Sequence, residues 1–338
     1  MRDIAILAYP GCMGTQLFAL ADFVRIAAHV AAALEPGRRL PLTVRMAAAR
    51  AGPVALAGGQ VLQLPALRGR PDLLVIPGLE VGRAGQWDRK LAPLAAELAL
   101  IRRRHRAGVP LAALCGGSFL LAEAGLLDGR RAATAWVFER DFAARYPNVR
   151  LERGALLTRD GDLTTTGAYS SVFDLAQRLV QEHHGRGVAR AAGRLTLVPE
   201  GRSSQRPYVD ETLVPGDPQS LSTQVQRWLG ARLAQRYDLA ALAAAFHVSS
   251  RTLLRRYRQD TASTPLAWLQ RARVRQAQRL LEGSRKSLAQ IVAEVGYEDV
   301  ATFSRLFLRH VGESPARYRR HAGSRATIGA WHTTPPAR

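Results

Sequence analysis

LAALAAAFHVSSRTLLRRY (Leu239–Tyr257) and LAQIVAEVGYEDVATFSRLF (Leu288–Phe307) repeat one layout along the chain. Each stretch begins as an apolar helix, passes through a short turn and continues as a second helix that carries arginine. Small side chains at Ala243 and Ala293 would let the second helix pack closely on the first, and Gly296 suits a turn that needs a positive φ. These are the requirements of a helix–turn–helix motif, and the sequence therefore predicts two of them.

The positive charge of the chain is concentrated around these motifs. The formal net charge is +21, from 48 Lys and Arg against 27 Asp and Glu. Residues 221–338 hold 20 of the basic residues and 7 of the acidic ones. Such a domain favours a polyanionic partner, because neutralised phosphates release their counterions. Solubility or a GC-rich, arginine-rich genome would also raise the charge, so the charge alone does not identify the partner.

The second helix of each motif is expected to bury one face and present arginine on the other. Residues four apart share a face, so Leu253 and Tyr257 would point inward, as would Phe303 and Phe307. Arginine on the opposite face suits contact with guanine edges or with phosphates. The predicted DNA-contacting residues are Ser250, Arg251, Thr252, Arg255, Arg256, Arg258, Asp299, Ala301, Thr302, Arg305 and Arg309.

The two motifs differ where the second helix begins. In the first motif, Ser249 or Ser250 can cap the helix. In the second, Val300 and Ala301 can touch a thymine methyl group but cannot form a hydrogen bond with a base edge. Base reading by the second motif would then depend mainly on Arg305, and the alternative is that this half mainly grips phosphate.

Residues Leu239–Arg320 resemble the DNA-binding domain of the AraC/XylS family of regulators. The resemblance extends to the connecting segment TPLAWLQRARVRQAQRLL (Thr264–Leu281) and to GESPARYR (Gly312–Arg319) after the second motif. It implies that one linking helix holds two recognition helices, which enter successive major grooves roughly 34 Å apart. Promoter DNA and RNA polymerase are the macromolecular partners that it implies.

The first two hundred residues alternate short apolar runs with longer helical patterns. Ile4–Ala8, Leu73–Ile76 and Leu111–Leu114 are bounded by Pro, Gly or Asp, as buried parallel strands are. Leu17–Val30 and Leu91–Arg106 are long enough for crossover helices. The alternation predicts a doubly wound, flavodoxin-like α/β domain, followed by an all-α domain with the two helix–turn–helix motifs.

PLAALCGGSFLLA (Pro110–Ala122) runs from a buried strand through a Cys-Gly-Gly turn directly into a helix. Such an elbow exposes the side chain of Cys115 near a helix N-terminus, a setting that favours the thiolate. With AGLLDGRRAATAW (Ala124–Trp136), this block resembles the PfpI-type branch of the class I glutamine-amidotransferase-like superfamily. DLLVIPG (Asp72–Gly78) and TGAYS (Thr166–Ser170) fit that branch too.

Two positions that support catalysis in the related enzymes hold unsuitable residues here. Ala135 stands where a histidine often precedes Trp136, and Gln16 replaces an acidic residue. Without an imidazole, general acid–base chemistry lacks its agent, so we expect no catalytic residues and no enzyme activity. The other histidines of this half, which do not obviously fill the gap, are His29, His105, His183 and His184.

Cys115 then has three interpretations: a packed elbow residue lining a ligand pocket, which we favour, a redox or electrophile sensor, or a working nucleophile. Open α/β sheets bind ligands at the carboxyl ends of their strands. Analogy within the branch points loosely to a small nitrogenous metabolite, and Trp136 with Tyr169 is only a thin hint of cation binding. The predicted ligand-binding residues, beside Pro10, are Gly11, Cys12, Gln16, Gly78, Leu79, Cys115, Gly116, Trp136, Gly167 and Ala168.

Composition sets the domain boundaries and the compartment. We predict a sensor domain at 1–206, a Pro/Gly-rich linker at 207–221, a DNA-binding domain at 222–322 and a flexible tail at 323–338. Two cysteines without metal-ligand spacing predict neither disulfide, metal nor cofactor. With no signal peptide and no uninterrupted apolar run of about 20 residues, we expect a cytoplasmic, nucleoid-associated protein without a membrane partner.

Three functions fit these observations. The first is a homodimeric transcriptional activator, controlled by a small-molecule effector in a catalytically degenerate sensor domain. The second is a cysteine-dependent hydrolase or amidase with an attached DNA-binding module, which requires an unexpected partner for Cys115. The third is an architectural DNA-binding protein with shallow sequence preference. We favour the first, because arginine recurs in both motifs and the expected catalytic partners are missing.

Overall fold

The chain folds into two compact units, Met1–Leu213 and Val214–Arg338, here termed the α/β unit and the helical unit. The computed structural model describes residues 3–35, 42–81, 86–199, 201–209, 219–261 and 263–326. The predicted fold class, a doubly wound α/β domain followed by an all-α domain, is confirmed.

A six-stranded sheet lies at the centre of the α/β unit, in the order β2-β1-β5-β6-β10-β9. Neighbouring strands run parallel, except that β9 is antiparallel to β10. The inner strands are buried on both faces, which explains their continuous apolar runs. The strands of the unit are β1 (Asp3–Ala8), β2 (Thr43–Ala48), β3 (Gly52–Ala55), β4 (Val61–Leu64), β5 (Leu73–Ile76), β6 (Leu111–Ala113), β7 (Arg131–Ala132), β8 (Arg150–Leu151), β9 (Leu157–Asp160) and β10 (Leu163–Thr166).

Helices connect the parallel strands, as the alternating pattern predicts. Because each crossover helix runs back from the carboxyl end of one strand to the amino end of the next, loops that follow strands gather at one edge of the sheet. The helices are α1 (Gly14–Leu34), α2 (Trp87–Leu91), α3 (Ala95–Arg106), α4 (Ser118–Glu123), α5 (Glu139–Arg145), α6 (Ser171–His184) and α7 (Arg186–Leu195).

Helix α1 is long and apolar enough to cross a membrane by length and composition, which the sequence analysis did not expect of any segment. In the structure, α1 packs against β2, α6 and α7. Its buried face carries Leu17, Leu20, Phe23 and Val24, among others. A core helix of an α/β sheet meets the same criterion, and the packing of α1 is that of a core helix.

The helical unit is built around one long helix. Helix α11 contributes Trp268 and Leu269 to a core shared with the first motif, and Val274 and Leu281 to a core shared with the second. Thr264 caps this helix and Pro265 occupies its first turn, where proline is well tolerated. The helices are α8 (Leu221–Gly230), α9 (Leu239–Ala245), α10 (Ser250–Thr261), α11 (Pro265–Gly283), α12 (Leu288–Glu294), α13 (Val300–Val311) and α14 (Pro315–Ala326).

The predicted linker and tail are described only in part. Residues 210–218 of the linker and 327–338 of the tail lie outside the described residues. Helix α14 continues to Ala326, so the first four residues of the predicted tail are helical. The predicted boundaries of the linker and of the tail therefore stay predictions.

Candidate nucleic-acid interface and ligand site

Each helix–turn–helix motif turns at a residue with a positive φ, and the second motif has one more residue between this position and the next helix. In the first, His247 has a φ of 53° and its N–H donates to the carbonyl of Ala244. In the second, Gly296 has a φ of 79° and its N–H donates to the carbonyl of Ala293, 3.0 Å in each motif. The positive φ predicted for Gly296 is confirmed, and His247 adopts the same conformation without the freedom of glycine.

The second helix of each motif is capped by the side chain that precedes it. Ser249 Oγ accepts from the N–H of Thr252 at 3.2 Å, and Asp299 Oδ1 accepts from the N–H of Thr302 at 2.6 Å. Hydrogen bonds from Thr302 hold the pKa of Asp299 below its ordinary value. Asp299, a predicted DNA contact, is thus engaged in capping. Ser249 rather than Ser250 is the cap of the first motif.

Counted from these caps, Arg255 and Arg305 occupy the same position, six residues into each recognition helix. Both side chains are exposed, while the predicted inward residues are fully buried. Thr302 Oγ1 accepts from Arg305 Nη2 at 3.3 Å, which orients that guanidinium along the exposed face. The two motifs therefore place their arginines at matching positions in the structure as well as in the sequence. The buried residues are Leu253, Tyr257, Phe303 and Phe307.

Helix α10 presents a concave surface that is rich in arginine. Its lining residues follow helical spacing and share one face: Arg251, Leu254, Arg255, Arg258 and Gln259. Arg256 is exposed but its position along the helix places it off this face. On α13, the predicted contacts that are exposed are Ala301, Thr302, Arg305 and Arg309. Each recognition helix thus carries an exposed, basic surface of the kind that binds nucleic acid.

The prediction that a small residue lies under the second helix of each motif is correct for the first motif and wrong for the second. Ala243 is buried beneath the first recognition helix, as the small side chain predicts. Ala293 is exposed, and Val292 occupies the buried position that corresponds to Ala243. The second motif therefore packs around a larger side chain, and its helices meet without the small residue that the sequence pattern favoured.

Arg273 joins the two motifs, a role that the sequence did not reveal. Its side chain is 6% exposed at the middle of α11. Nε donates to the carbonyl of Leu233 at 2.8 Å, Nη2 donates to the carbonyl of Gln235 at 2.5 Å, and the guanidinium lies 5.1 Å from the ring centroid of Tyr297. Leu233 and Tyr237 pack with the first core and Tyr297 with the second, so one buried cation bridges the two.

The elbow predicted at Cys115 is present in the α/β unit. Cys115 has a φ of 53°, a conformation that is costly for a residue with a side chain. A Cβ at Gly117 would clash with the carbonyl of Pro77, which explains the glycine that follows. Ser118 Oγ donates to the carbonyl of Cys115 at 3.0 Å and fixes the turn. This backbone matches that of a nucleophile elbow.

The side chain of Cys115 is only partly exposed, and its surroundings disfavour the thiolate. Burial raises the pKa of its thiol to about 11, and burial likewise raises the pKa of Cys12 to about 11. The prediction that the elbow favours the thiolate is therefore wrong. Helix α4, which starts at Ser118, is six residues long, and desolvation of the anion outweighs the stabilisation that its N-terminus offers.

We expect the alkylation of Cys115 to confirm a neutral thiol. In a Cys12→Ala variant, the rate with iodoacetamide should rise about tenfold per pH unit and show no plateau below about pH 10, because only the thiolate reacts. The same variant unfolded in urea should titrate near the ordinary thiol value, which provides the control. A plateau near pH 7 in the folded protein would contradict the assignment.

The predicted ligand-binding residues form two groups at the carboxyl edge of the sheet. In the first, the Gln16 side chain is fully buried, Oε1 accepts from the N–H of Gly78 at 2.6 Å, and Nε2 donates to the carbonyl of Tyr169 at 2.9 Å. Cys12 and Leu79 form a β-bridge beside Gly78. Gln16 thus ties the end of β5 to the loop that follows β10.

The second group surrounds a residue that the sequence analysis missed. Gln205 Oε1 accepts from the N–H groups of Trp136 and Ala168 at 3.1 and 2.9 Å. Gly167 lies against the same carboxamide, so close that a Cβ there would clash with it. Gln205 stands two residues before the predicted linker, in a polar stretch without an apolar period, so nothing local marked it as buried.

The four histidines of this unit are not at the elbow. His105 lies in the last turn of α3, 2.9 Å from Asp162, and the rings of His183 and His184 meet edge to face at the end of α6. These helices run back toward the amino ends of the strands, whereas Cys115 follows the carboxyl end of β6. His29 is exposed in the second half of α1. Among the described residues, no group of three or more potential metal ligands occurs.

A cavity of about 360 Å³ opens at the opposite edge, beside the amino ends of β5 and β6. The charged side chains around it are paired with one another. Arg178 and Arg159 contact Glu182 at 2.8 and 3.5 Å, and Asp162 pairs with Arg130, outside the lining, at 2.9 Å. The sequence analysis did not anticipate this cavity, because its lining comes from segments far apart in the chain.

Sequence profiles of two families match the chain: the DJ-1/PfpI family at residues 41–182 and a helix-turn-helix domain at residues 242–321. The HTH-type transcriptional regulator GlxA of Rhizobium meliloti is 29% identical over 71% of this chain and 74% of its own length. The HTH-type transcriptional regulator ArgR of Pseudomonas aeruginosa is 30% identical over 69% of this chain and 72% of its own. The HTH-type transcriptional activator RhaR of Escherichia coli is 32% identical over 33% of this chain and 40% of its own.

Proposed function

Because the chain belongs to the AraC family of HTH-type transcriptional regulators that carry a DJ-1/PfpI domain, we propose that a small metabolite bound in its α/β unit controls how its helical unit engages DNA. The protein is a DNA-binding transcriptional regulator. A ligand changes DNA affinity only as far as it binds the DNA-competent state differently, so sensor and DNA-binding unit are thermodynamically linked.

The observation that carries the DNA-binding part of this proposal is the equivalent position of Arg255 and Arg305 on their helices. Both are exposed at the same distance from a helix cap, on helices that each follow a turn with a positive φ. We propose that each reads a guanine in the major groove, since a guanidinium can donate to O6 and N7 together. Arg251 adds a second base-reading candidate on α10, and the proposed phosphate contacts are Arg256, Arg258 and Arg309.

The α/β unit serves as a sensor rather than an enzyme in this proposal. A thiol with a pKa of about 11 is almost entirely protonated at neutral pH, and the histidines of the unit lie away from the elbow. Nucleophilic catalysis needs a thiolate and a base within hydrogen-bond reach. The proposed effector site lies at the carboxyl edge, where Gln16 stands in the first turn of α1 and Cys115 and Trp136 follow β6 and β7.

We further propose that the regulator acts inside the cell as a homodimer that activates transcription through RNA polymerase at the nucleoid. Two-fold dimers are the commonest soluble assembly, and a dimer would double the DNA contacts of one chain. The similarity of the helical unit to RhaR, which is named an activator, supports activation over repression.

Genome-wide mapping of the sites bound by the full-length protein tests this function. We expect a small set of discrete promoters, and one metabolite handled by the adjacent genes should change the affinity for the mapped operator. Binding throughout the genome with shallow preference, unaffected by any such metabolite and weakened only by salt, would identify an architectural protein instead.

A further inference from the structure

Residues 201–208, here called the strap, are held against the α/β unit just before the chain leaves it. The N–H of Gln205 donates to the carbonyl of Gly154 at 2.8 Å, and Ser204 Oγ donates to the same carbonyl at 3.0 Å. Ser204 also forms a β-bridge with Ala155. The strap lies at the end of the described part of the α/β unit, and the next helix that the structure describes is α8, which begins at Leu221.

The side chain of Gln205 is 2% exposed and fully engaged. Oε1 accepts from the N–H groups of Trp136 and Ala168. Nε2 donates to the carbonyls of Thr134 and Ala155 at 2.9 and 2.8 Å. One carboxamide thus satisfies four backbone groups from three different loops, the β7–α5, β8–β9 and β10–α6 connections.

This arrangement of backbone groups specifies a chemical class. Two N–H groups converge on one atom and two carbonyls converge on another, so the site requires one acceptor beside one NH₂ donor. A primary carboxamide presents this pair. A carboxylate lacks donors for the two carbonyls, and an alkylammonium or guanidinium lacks an acceptor for the two N–H groups.

The backbone is shaped around this group. A Cβ at Gly167 would clash with the carboxamide carbon of Gln205, so glycine at this position leaves the room that the carboxamide fills. Thr134, whose carbonyl is one of the two acceptors of the site, also accepts at its hydroxyl a hydrogen bond from Ser118 Oγ in the elbow at 2.8 Å. The site therefore adjoins the loop that carries Cys115.

We propose that the backbone groups of Thr134, Trp136, Ala155 and Ala168 form a carboxamide-binding site whose resident ligand is the side chain of Gln205. The effector carries a primary carboxamide, which replaces Gln205 in this site and frees the strap. The part of this proposal that concerns the effector rests on the proposed function. Gln205 competes from within the chain at an effective concentration on the order of millimolar, so a soluble effector needs further contacts to displace it.

Loss of the resident side chain tests the site directly. Gln205→Ala in the full-length protein should lower Tm by about 5–10 °C, because four hydrogen bonds are lost in a buried place. Propionamide should raise the Tm of this variant as its concentration passes Kd, and should leave the natural protein unchanged because its site is filled. Propionate, which has no NH₂ group, should stabilise neither protein. An equal response of both proteins to propionamide, or of neither, overturns the site.

A double-mutant cycle with Gly167→Ala distinguishes the contact between Gly167 and the Gln205 carboxamide from a general loss of stability. The added methyl group displaces the carboxamide, so this substitution should lower Tm clearly in the natural protein and much less in the Gln205→Ala background. Equal losses in both backgrounds contradict the proposal. Gln205→Glu should be unstable at neutral pH, regain stability as the pH falls through the raised pKa of the buried carboxyl and regain it most fully below the ordinary glutamate pKa of about 4.3, because only the protonated carboxyl has an O–H, which satisfies one of the two carbonyls.

Operator binding separates this inference from the proposed function. If propionamide rescues Gln205→Ala but that variant binds and responds at the operator as the natural protein does, the site stands and its role in regulation is wrong. If the natural protein answers to no metabolite at its operator while the rescue succeeds, the proposed function fails and the carboxamide site remains.

Discussion

Replacing Arg255 or Arg305 by alanine is expected to lower the affinity for the operator by about 5-fold to 150-fold each, since a bidentate arginine–guanine contact contributes about 1–3 kcal/mol of discrimination. Both arginines lie exposed at the same place on their recognition helices, where Arg305 donates to the hydroxyl of Thr302. The loss should fall on specific binding, so that affinity for unrelated DNA changes much less. Titration of labelled operator and of a scrambled duplex, at one salt concentration, gives both values.

Two further substitutions serve as controls for charge. Arg25→Ala removes an exposed arginine of the α/β unit, paired with Asp22 at 2.9 Å, and should leave both affinities unchanged. Arg258→Ala should weaken operator and scrambled duplex alike and reduce the salt slope by about 1, as expected of a phosphate contact. If Arg255→Ala and Arg305→Ala leave the operator affinity untouched, the assignment of the recognition helices is wrong.

Arg273→Met should destabilise the helical unit by about 2–4 kcal/mol and disrupt its binding to the complete operator. The substitution leaves the carbonyls of Leu233 and Gln235 without their donor, and a buried acceptor that loses its partner costs about 1–3 kcal/mol. It also removes the cation from the face of Tyr297. Because Arg273 bridges both cores, we expect the two motifs to lose their fixed relation, so affinity for the full operator should fall more than affinity for one half.

Thermal unfolding together with titration of full and half operators measures this effect. Arg279→Met is the matched control, because Arg279 lies exposed on the same helix and donates to the side chain of Gln276 one turn away. Arg273→Lys should be intermediate, since an ammonium keeps the charge but lacks the planar fork that reaches two carbonyls. An unchanged Tm for Arg273→Met would show that the bridge does not hold the motifs together.

The sequence predicted the features that depend on local pattern. The two helix–turn–helix motifs, the apolar strands β1, β5 and β6 and the elbow at Cys115 all follow from spacing, glycine and apolar runs. Strand β2 was missed, because it lies at the edge of the sheet and carries Arg45 within a mixed pattern. An edge strand has fewer buried neighbours and so a weaker apolar signature.

The remaining features depend on partners far away in the chain. Gln205 bonds to residues 37 to 71 positions away, and Arg273 to residues 38 and 40 positions away, so no window of sequence contains both members of a pair. The pKa of Cys115 likewise depends on burial by the whole fold. The elbow was predictable as backbone geometry, but whether it activates or silences its thiol is a tertiary property.

The account depends on two recognition helices that read one operator together, and a chemical footprint of the major groove tests this most directly. With the full-length protein on its mapped operator, we predict two protected guanine-containing segments about one helical turn, roughly 34 Å, apart on the same face of the duplex. Arg255→Ala should erase one segment and Arg305→Ala the other. A single protected segment, or two that both persist in these variants, would contradict the account.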